Sequence, residues 1–147
     1  MRFLLPPLLF CLTFGLMLLA GFFFPLAHWL PAPFNWGGAL FIIAGLVIAS
    51  WHARLFSQLG TNIGTFEQPD ILVKAGLYRY TRNPMYLGFL IALCGAAIIL
   101  ASASPWFFVI CFFVITDRWY IAYEEKMMLQ KFGDEYRLYQ QQVRRWL

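Results

Sequence analysis

The sequence predicts an all-α integral membrane protein: four transmembrane helices, a cytoplasmic loop between the second and third, and a helical C-terminal tail. Three observations carry that expectation. Apolar residues make up 61% of the 147-residue chain and charged residues 12%, where a soluble domain runs near half and a quarter. Every charge falls at Arg2, between Arg54 and Arg82, or between Asp117 and Arg145, so Phe3–Ala53 and Asn83–Thr116 carry none. At a minimum of about 17 residues per pass, each of those two stretches, 51 and 34 residues long, has room for two passes. All eleven Lys and Arg lie in the N-terminus, the middle loop and the tail, and the short connections His28–Asn35 and Ser102–Pro105 have none. That positive-inside pattern puts both termini and the middle loop in the cytoplasm.

The same figures exclude a soluble enzyme, a disordered chain and a disulfide-stapled secreted module. A net charge of +4 invites comparison with nucleic-acid binders, but the basic residues sit at span ends, where the positive-inside bias accounts for them, so no nucleic-acid partner is expected. Cys11, Cys94 and Cys111 all lie in apolar stretches, with neither a disulfide framework nor a metal-ligand spacing, and are expected to be small buried apolar residues. No metal is expected.

The elements follow in order within a single domain, 1–147. The first span is expected over about 3–27. Its apolar run exceeds the roughly 7–15 residues of a signal-peptide core, so a retained helix is expected. The second span covers about 36–53, after a Pro-rich turn whose Trp29 and Trp36 suit a membrane interface. Gly45, Ala49 and Ala53 recur every fourth residue, a small-residue stripe that admits a neighbouring helix. The third span, about 84–101, repeats the device with Gly88, Ala92 and Ala96. The fourth, about 105–123, begins after SASP and continues towards Lys131, with Gly133 as a stop signal.

Two features mark where chemistry belongs. The connection over 54–83 is long for so small a chain, and its Leu, Ile, Val, Phe and Tyr content argues for order, with an interfacial segment lying on lipid headgroups as the alternative on composition. In the fourth helix, Asp117 and Arg118 follow only twelve uncharged residues, which span about 18 Å of a hydrocarbon core of about 30 Å. Charges at that depth need partners. A regular helix wheel sets Asp117 and Glu124 on one face, with either Tyr120 or Ile121, and Arg118 with Glu125 on the adjacent one. The plain alternative has Arg118 reaching to the headgroups with Asp117 paired to it. In the tail, 124–147, Arg144, Arg145 and Trp146 suit an anionic headgroup surface.

The blocks VKAGLYRYTRNPMYLG and EEKMMLQKFGDEYRLY resemble the integral-membrane methyltransferases of the isoprenylcysteine carboxyl methyltransferase and phospholipid methyltransferase superfamily. The pattern runs through Gly76, Tyr78, Arg82, Asn83, Pro84, Tyr86 and Gly88, then Glu124, Glu125, Phe132, Gly133, Tyr136 and Tyr139, about the C-terminal half of the chain. The resemblance implies an S-adenosyl-L-methionine-dependent enzyme, releasing S-adenosyl-L-homocysteine, with its cofactor pocket at the cytoplasmic ends of the last two spans. Its cofactor contacts carry over to Asp70, Ile71, Leu72 and Val73 (only Leu72 and Val73 look alike there), to Tyr78, to Asn83, Pro84, Met85 and Tyr86, and to Glu124.

Phenol rings suit adenine or a sulfonium cation, and a carboxylate suits an ammonium group. The implied methyl acceptor is lipophilic or small: an isoprenylcysteine-like carboxylate, a phospholipid amine or a thiol, met among membrane lipids. Two departures stand out. Asn83 replaces the usual His and cannot take a proton at neutral pH. Tyr120 replaces an Arg that holds a substrate carboxylate, which leaves Arg118 and Tyr120 as the substrate-positioning candidates. No catalytic acid, base or nucleophile is assigned, since methyl transfer from a sulfonium needs alignment above all. A non-catalytic membrane scaffold that keeps the fold is the alternative, motivated by the two small-residue stripes and by the altered His and Arg positions. A transporter is disfavoured, because repeated halves and broken mid-membrane helices are missing from the pattern.

Overall fold

The computed structural model describes residues 5–58 and 71–147, with backbone alone at 56–58. Within them, α1 is Pro6–Phe23, α2 Gly38–Gln58, α3 Pro84–Leu100, α4 Ser104–Ile115 and α5 Ala122–Gln142. Short 3-10 turns lie at Phe34–Gly37 and Gly76–Arg79, and a π-helical turn, Thr116–Ile121, runs straight from α4 into α5. Arg2 and the part of the middle loop that ends at Asp70 lie outside the described residues.

Among the described residues, three helical stretches are long and apolar enough to cross a membrane: Pro6–Phe23, Phe34–Leu55 and Ser104–Gln142. The third predicted span, α3, is apolar but shorter, at 17 residues. α1 shows the environment plainly. Leu9, Thr13, Met17 and Ala20 are buried, while Leu8, Leu12 and Leu19 on the other face stay more than half exposed, an outward apolar surface that suits lipid. Cys11 lies exposed in α1 too, and Cys94 and Cys111 are only half-buried, so the expectation that all three are buried fails: lipid accepts a thiol as readily as a core does.

α2 and α3 pack most closely, because their backbones touch. A Cβ on Gly88 would fall 2.6 Å from the Gly45 carbonyl oxygen and 2.8 Å from the Ala49 nitrogen. One on Gly95 would fall 2.5 Å from the Gly38 carbonyl oxygen. The predicted stripes therefore meet each other, with a correction: Ala53 is exposed, and the seam extends instead through Gly38 and Gly95. A seven-residue spacing, two helical turns, keeps Gly38 and Gly45 over Gly95 and Gly88 where the every-fourth pattern drifts off. Leu93, Met17, Phe112 and Ile121 then close the core around the seam.

The far end is tied by backbone and hydroxyl groups. Ala103 N–H donates to the Leu26 carbonyl at 2.7 Å, the Ser102 hydroxyl to the same carbonyl at 2.9 Å, and Asn35 Nδ2 to Ile99 O at 2.9 Å. At the near end Gly133, at φ +51°, breaks α5 where the sequence places a stop, and a further helical stretch follows it to Gln142.

Substituting Gly88→Val should abolish or strongly lower stability, because the α2 backbone at Gly45 and Ala49 blocks the new atoms. Gly15→Ala, whose Cβ meets nothing within 4 Å, should leave it unchanged or raise it by up to about 1 kcal/mol. Thermal unfolding of the detergent-solubilised chain checks both.

Candidate functional site

The site is built where the 3-10 turn Gly76–Arg79, the first turn of α3, the start of α5 and the C-terminal residues meet. Gly76 opens it. Its φ of +60° is a left-handed conformation that suits glycine, and the Trp51 indole lies against the face where a side chain would project. That turn puts Tyr78 inward, with its hydroxyl 2.7 Å from His52 Nδ1 on α2. The phenol donates when the proton of the neutral imidazole sits on Nε2. Its carbonyl accepts the hydroxyl of Tyr139, also at 2.7 Å. Burial, then the nearby Glu124 carboxylate and Tyr139, push the Tyr78 phenol well above its ordinary pKa, so it keeps its proton at neutral pH.

Asn83 and Pro84 start α3 as the sequence suggests, with Pro84 at the first helical position, where a missing N–H leaves nothing unsatisfied. Tyr86 follows in the same turn, 2% exposed, and donates to Glu124 Oε1 at 2.7 Å across 38 residues of sequence. Tyr120 is buried beside it, ring centroids 6.2 Å apart.

The structure brings Tyr78, Tyr86 and Glu124 into one cluster. Asn83 is buried at its edge, where its amide donates to the Arg145 carbonyl at 2.9 Å. Pro84 is fully buried and Met85 packs against the core. Val73 is buried, Leu72 packs on Tyr136 and Tyr139, Ile71 is exposed, and Asp70 lies outside the described residues. Arg118 is apart: its side chain is 82% exposed, 3.6 Å from Asp117, as a snorkelling arginine would be.

Three expectations need correcting. Asp117 does not share a face with Glu124. The π-helical turn between them adds about one residue to the helical repeat, and it is Glu125 that returns over Asp117, both meeting Arg145. The Thr116 hydroxyl, within 2.8 Å of Phe112 O and 3.0 Å of Phe113 O, helps satisfy carbonyls at the start of that turn. Secondly, the plain alternative for Asp117 holds only in part: Arg118 is 3.6 Å away, but the closest partners come from the tail, Arg145 at 3.1 Å and the Trp146 indole at 3.0 Å. Thirdly, Arg145 and Trp146 face inward to acidic groups instead of a lipid surface, and Arg144 alone of the three is exposed.

Sequence reasoning also missed His52, which no spacing marks. A signal for Arg145 was present: Asp117, after only twelve uncharged residues of the fourth helix, needs a countercharge.

The family profile described as phospholipid methyltransferase matches residues 34–135, which include most of this cluster. The chain belongs to the phospholipid methyltransferase family. Protein-S-isoprenylcysteine O-methyltransferase A of Arabidopsis thaliana is 31% identical over 121 residues, covering 79% of this chain and 58% of that protein. Protein-S-isoprenylcysteine O-methyltransferase of Saccharomyces cerevisiae is 37% identical over 81 residues, 52% of this chain and 32% of that protein. Methanethiol S-methyltransferase 1 of Bradyrhizobium diazoefficiens is 37% identical over 67 residues, 46% of this chain and 22% of that protein. The chain thus matches between 22% and 58% of the length of these relatives. No solved structure matches. As a member of the phospholipid methyltransferase family, the chain places its two motif blocks face to face through Tyr86 and Glu124.

Tyr139→Phe should lower stability by about 1 kcal/mol, because it removes the buried hydrogen bond from the Tyr139 hydroxyl to the Tyr78 carbonyl. Lys74→Ala breaks the exposed 2.7 Å pair with Glu135 and should change stability by less than about 1 kcal/mol. Thermal denaturation in detergent separates the two.

Proposed function

We propose that the chain is a membrane-embedded, S-adenosylmethionine-dependent methyltransferase acting on a lipophilic or small acceptor. The observation that carries this is the 2.7 Å hydrogen bond from Tyr86 to Glu124, which joins the two motif blocks in one place. The donor set fits the cofactor's chemistry: a carboxylate for an ammonium group, and the Tyr78 and Tyr86 phenols for a sulfonium or an adenine face. When bound, S-adenosylmethionine supplies an activated methyl group, whose C–S bond breaks as the acceptor bond forms, the electron pair staying on sulfur.

This chain's residues supply binding, alignment and dryness. Glu124, oriented by Tyr86, holds the cationic end of the donor. Tyr78, fixed by His52 and Tyr139, walls the pocket. Of the predicted contacts, Leu72 and Val73 border it from the loop, Ile71 is exposed beside them, and Asp70 lies outside the described residues. Asn83, bonded through its amide to the tail, shapes the rim and has no proton-accepting role, so an acceptor that must lose a proton gives it elsewhere. Tyr120 flanks the acceptor side as a neutral phenol. It offers no countercharge to a carboxylate, which favours an amine or a thiol over an isoprenylcysteine-like acid. The relatives named for isoprenylcysteine and for methanethiol bracket that choice.

Four spans, with α3 as the third, and positive-inside orientation put this end of the bundle and both termini in the cytoplasm, where the polar donor enters while the acceptor arrives through the bilayer. The contact between α2 and α3 accounts for Gly45, Ala49, Gly88 and Ala92, one motive of the scaffold alternative, while its other motive, Asn83 and Tyr120 in place of the usual His and Arg, stands.

Detergent-solubilised protein should bind S-adenosylhomocysteine in calorimetry. Glu124→Gln and Tyr86→Phe should each weaken that binding by about tenfold or more, the loss expected for a hydrogen bond to a charged group. Well-folded protein that takes up no heat of binding would overturn the assignment. Incubation with radiolabelled donor and membrane extract identifies the acceptor by the fraction that takes the label.

A further inference from the structure

Glu124 and Glu125 are adjacent on α5 and meet different partners. Glu124 accepts from Tyr86, whereas Glu125 lies between two guanidinium groups. Arg82 Nη2 is 2.8 Å from Glu125 Oε1. Arg145 grips the same carboxylate with two nitrogens, Nε to Oε1 at 3.2 Å and Nη2 to Oε2, a paired geometry that fixes direction as well as distance. The third nitrogen of Arg145, Nη1, reaches Asp117 Oδ1 at 3.1 Å.

Asp117 lies at the start of the π-helical turn and Glu125 just beyond its end. One guanidinium therefore spans the turn and locks the rotation of the helix after it against the helix before it. With Arg82 included, two cations meet two anions and the clamp is neutral. The Glu125 carboxylate, bonded to Arg145, holds that guanidinium above its usual pKa, so Arg145 keeps its charge.

The backbone of the same residue serves the other half of the site. The Arg145 carbonyl accepts from the Asn83 amide at 2.9 Å and the Thr81 hydroxyl at 3.2 Å. Beside it, the Arg144 carbonyl accepts from Arg82 N–H at 3.0 Å. Those residues lead directly into the turn of α3 that carries Tyr86.

We propose that Arg145 is a positioning residue for the Tyr86–Glu124 site. Its side chain sets the rotation of α5 and its carbonyl sets the entry of α3, and together they decide that Glu124, not Glu125 or Asp117, faces Tyr86 and the methyl donor. This rests on the donor-site reading given above.

The test is a pair of double-mutant cycles on the full chain in detergent. In the first, S-adenosylhomocysteine affinity is measured for wild type, Arg145→Gln, Glu124→Gln and the double variant. Arg145→Gln should weaken binding by about tenfold when Glu124 is present and by less than about twofold when it is absent. Arg145→Lys should rescue only part, since one ammonium does not bridge two carboxylates as a fork does. Equal losses in both backgrounds mean that the arginine merely staples the tail, and overturn the proposal.

The second cycle needs no donor. Thermal unfolding of Tyr86→Phe, Glu124→Gln and their double measures the coupling between those two residues, with Arg145 intact and with Arg145→Gln. The coupling should be present in the first and lost in the second. A coupling that survives the loss of Arg145, or that is absent from the wild type, overturns the proposal whether or not the cofactor binds. Failure of the wild type to bind S-adenosylhomocysteine, with the coupling behaving as expected, overturns the donor-site reading alone. Should Arg145→Gln not fold, Glu125→Gln takes its place in both cycles, because it removes the paired grip and leaves the Arg145 carbonyl untouched.

Discussion

Two helices can bring their backbones into contact only where neither carries a side chain, and the arrangement of this protein depends on one such seam. Gly38 against Gly95 and Gly45 against Gly88 let α2 and α3 approach until a single added methyl group would strike a carbonyl oxygen. Inside lipid no hydrophobic effect drives helices together, so this close fit and the dispersion contacts it gives must hold the pair. The seam also has a consequence outside itself. It carries the last turns of α2 to the loop before α3, which is why His52 meets Tyr78 and Trp51 covers Gly76.

The second organising feature is electrostatic. Asp117, Glu125, Arg82 and Arg145 are all at least partly withdrawn from water, and each meets an opposite charge within 3.2 Å. Charges in such a setting are tolerated when they are paired and hydrogen-bonded, and breaking one partner is far more damaging than the pair is stabilising. The π-helical turn makes the pairing geometrically possible, because without it Asp117 and Glu125 diverge around the helix. An irregular helix at this point is thus matched to a particular set of partners rather than being a defect.

Some of this was legible in the residues. Charge-free stretches gave the helices, and the small-residue stripes of α2 and α3 indicated close neighbours, because both signals depend only on solvent preference and side-chain volume. The motif blocks pointed to Tyr78, Tyr86 and Glu124, which the fold brings together. Other parts were not legible. A helix wheel assumes a constant repeat, so it set Asp117 beside Glu124. The paired arginines after an amphipathic stretch look the same whether they face lipid headgroups or buried acids. Ala53 fitted the every-fourth pattern as well as Gly45 did, yet the crossing of the helices leaves it outside.

What the sequence determined by itself was the solvent of the protein, the places where the chain is free to be helical, and the family to which its two blocks belong. These follow from composition, charge position and the chemistry of single residues. What only the tertiary structure decided was the choice of partners: which glutamate turns to Tyr86, which arginine answers Asp117, and which glycines oppose each other. A charge or a small residue states its need for a partner locally, but the partner is selected by adjacency in space, and adjacency is set by all the helices at once.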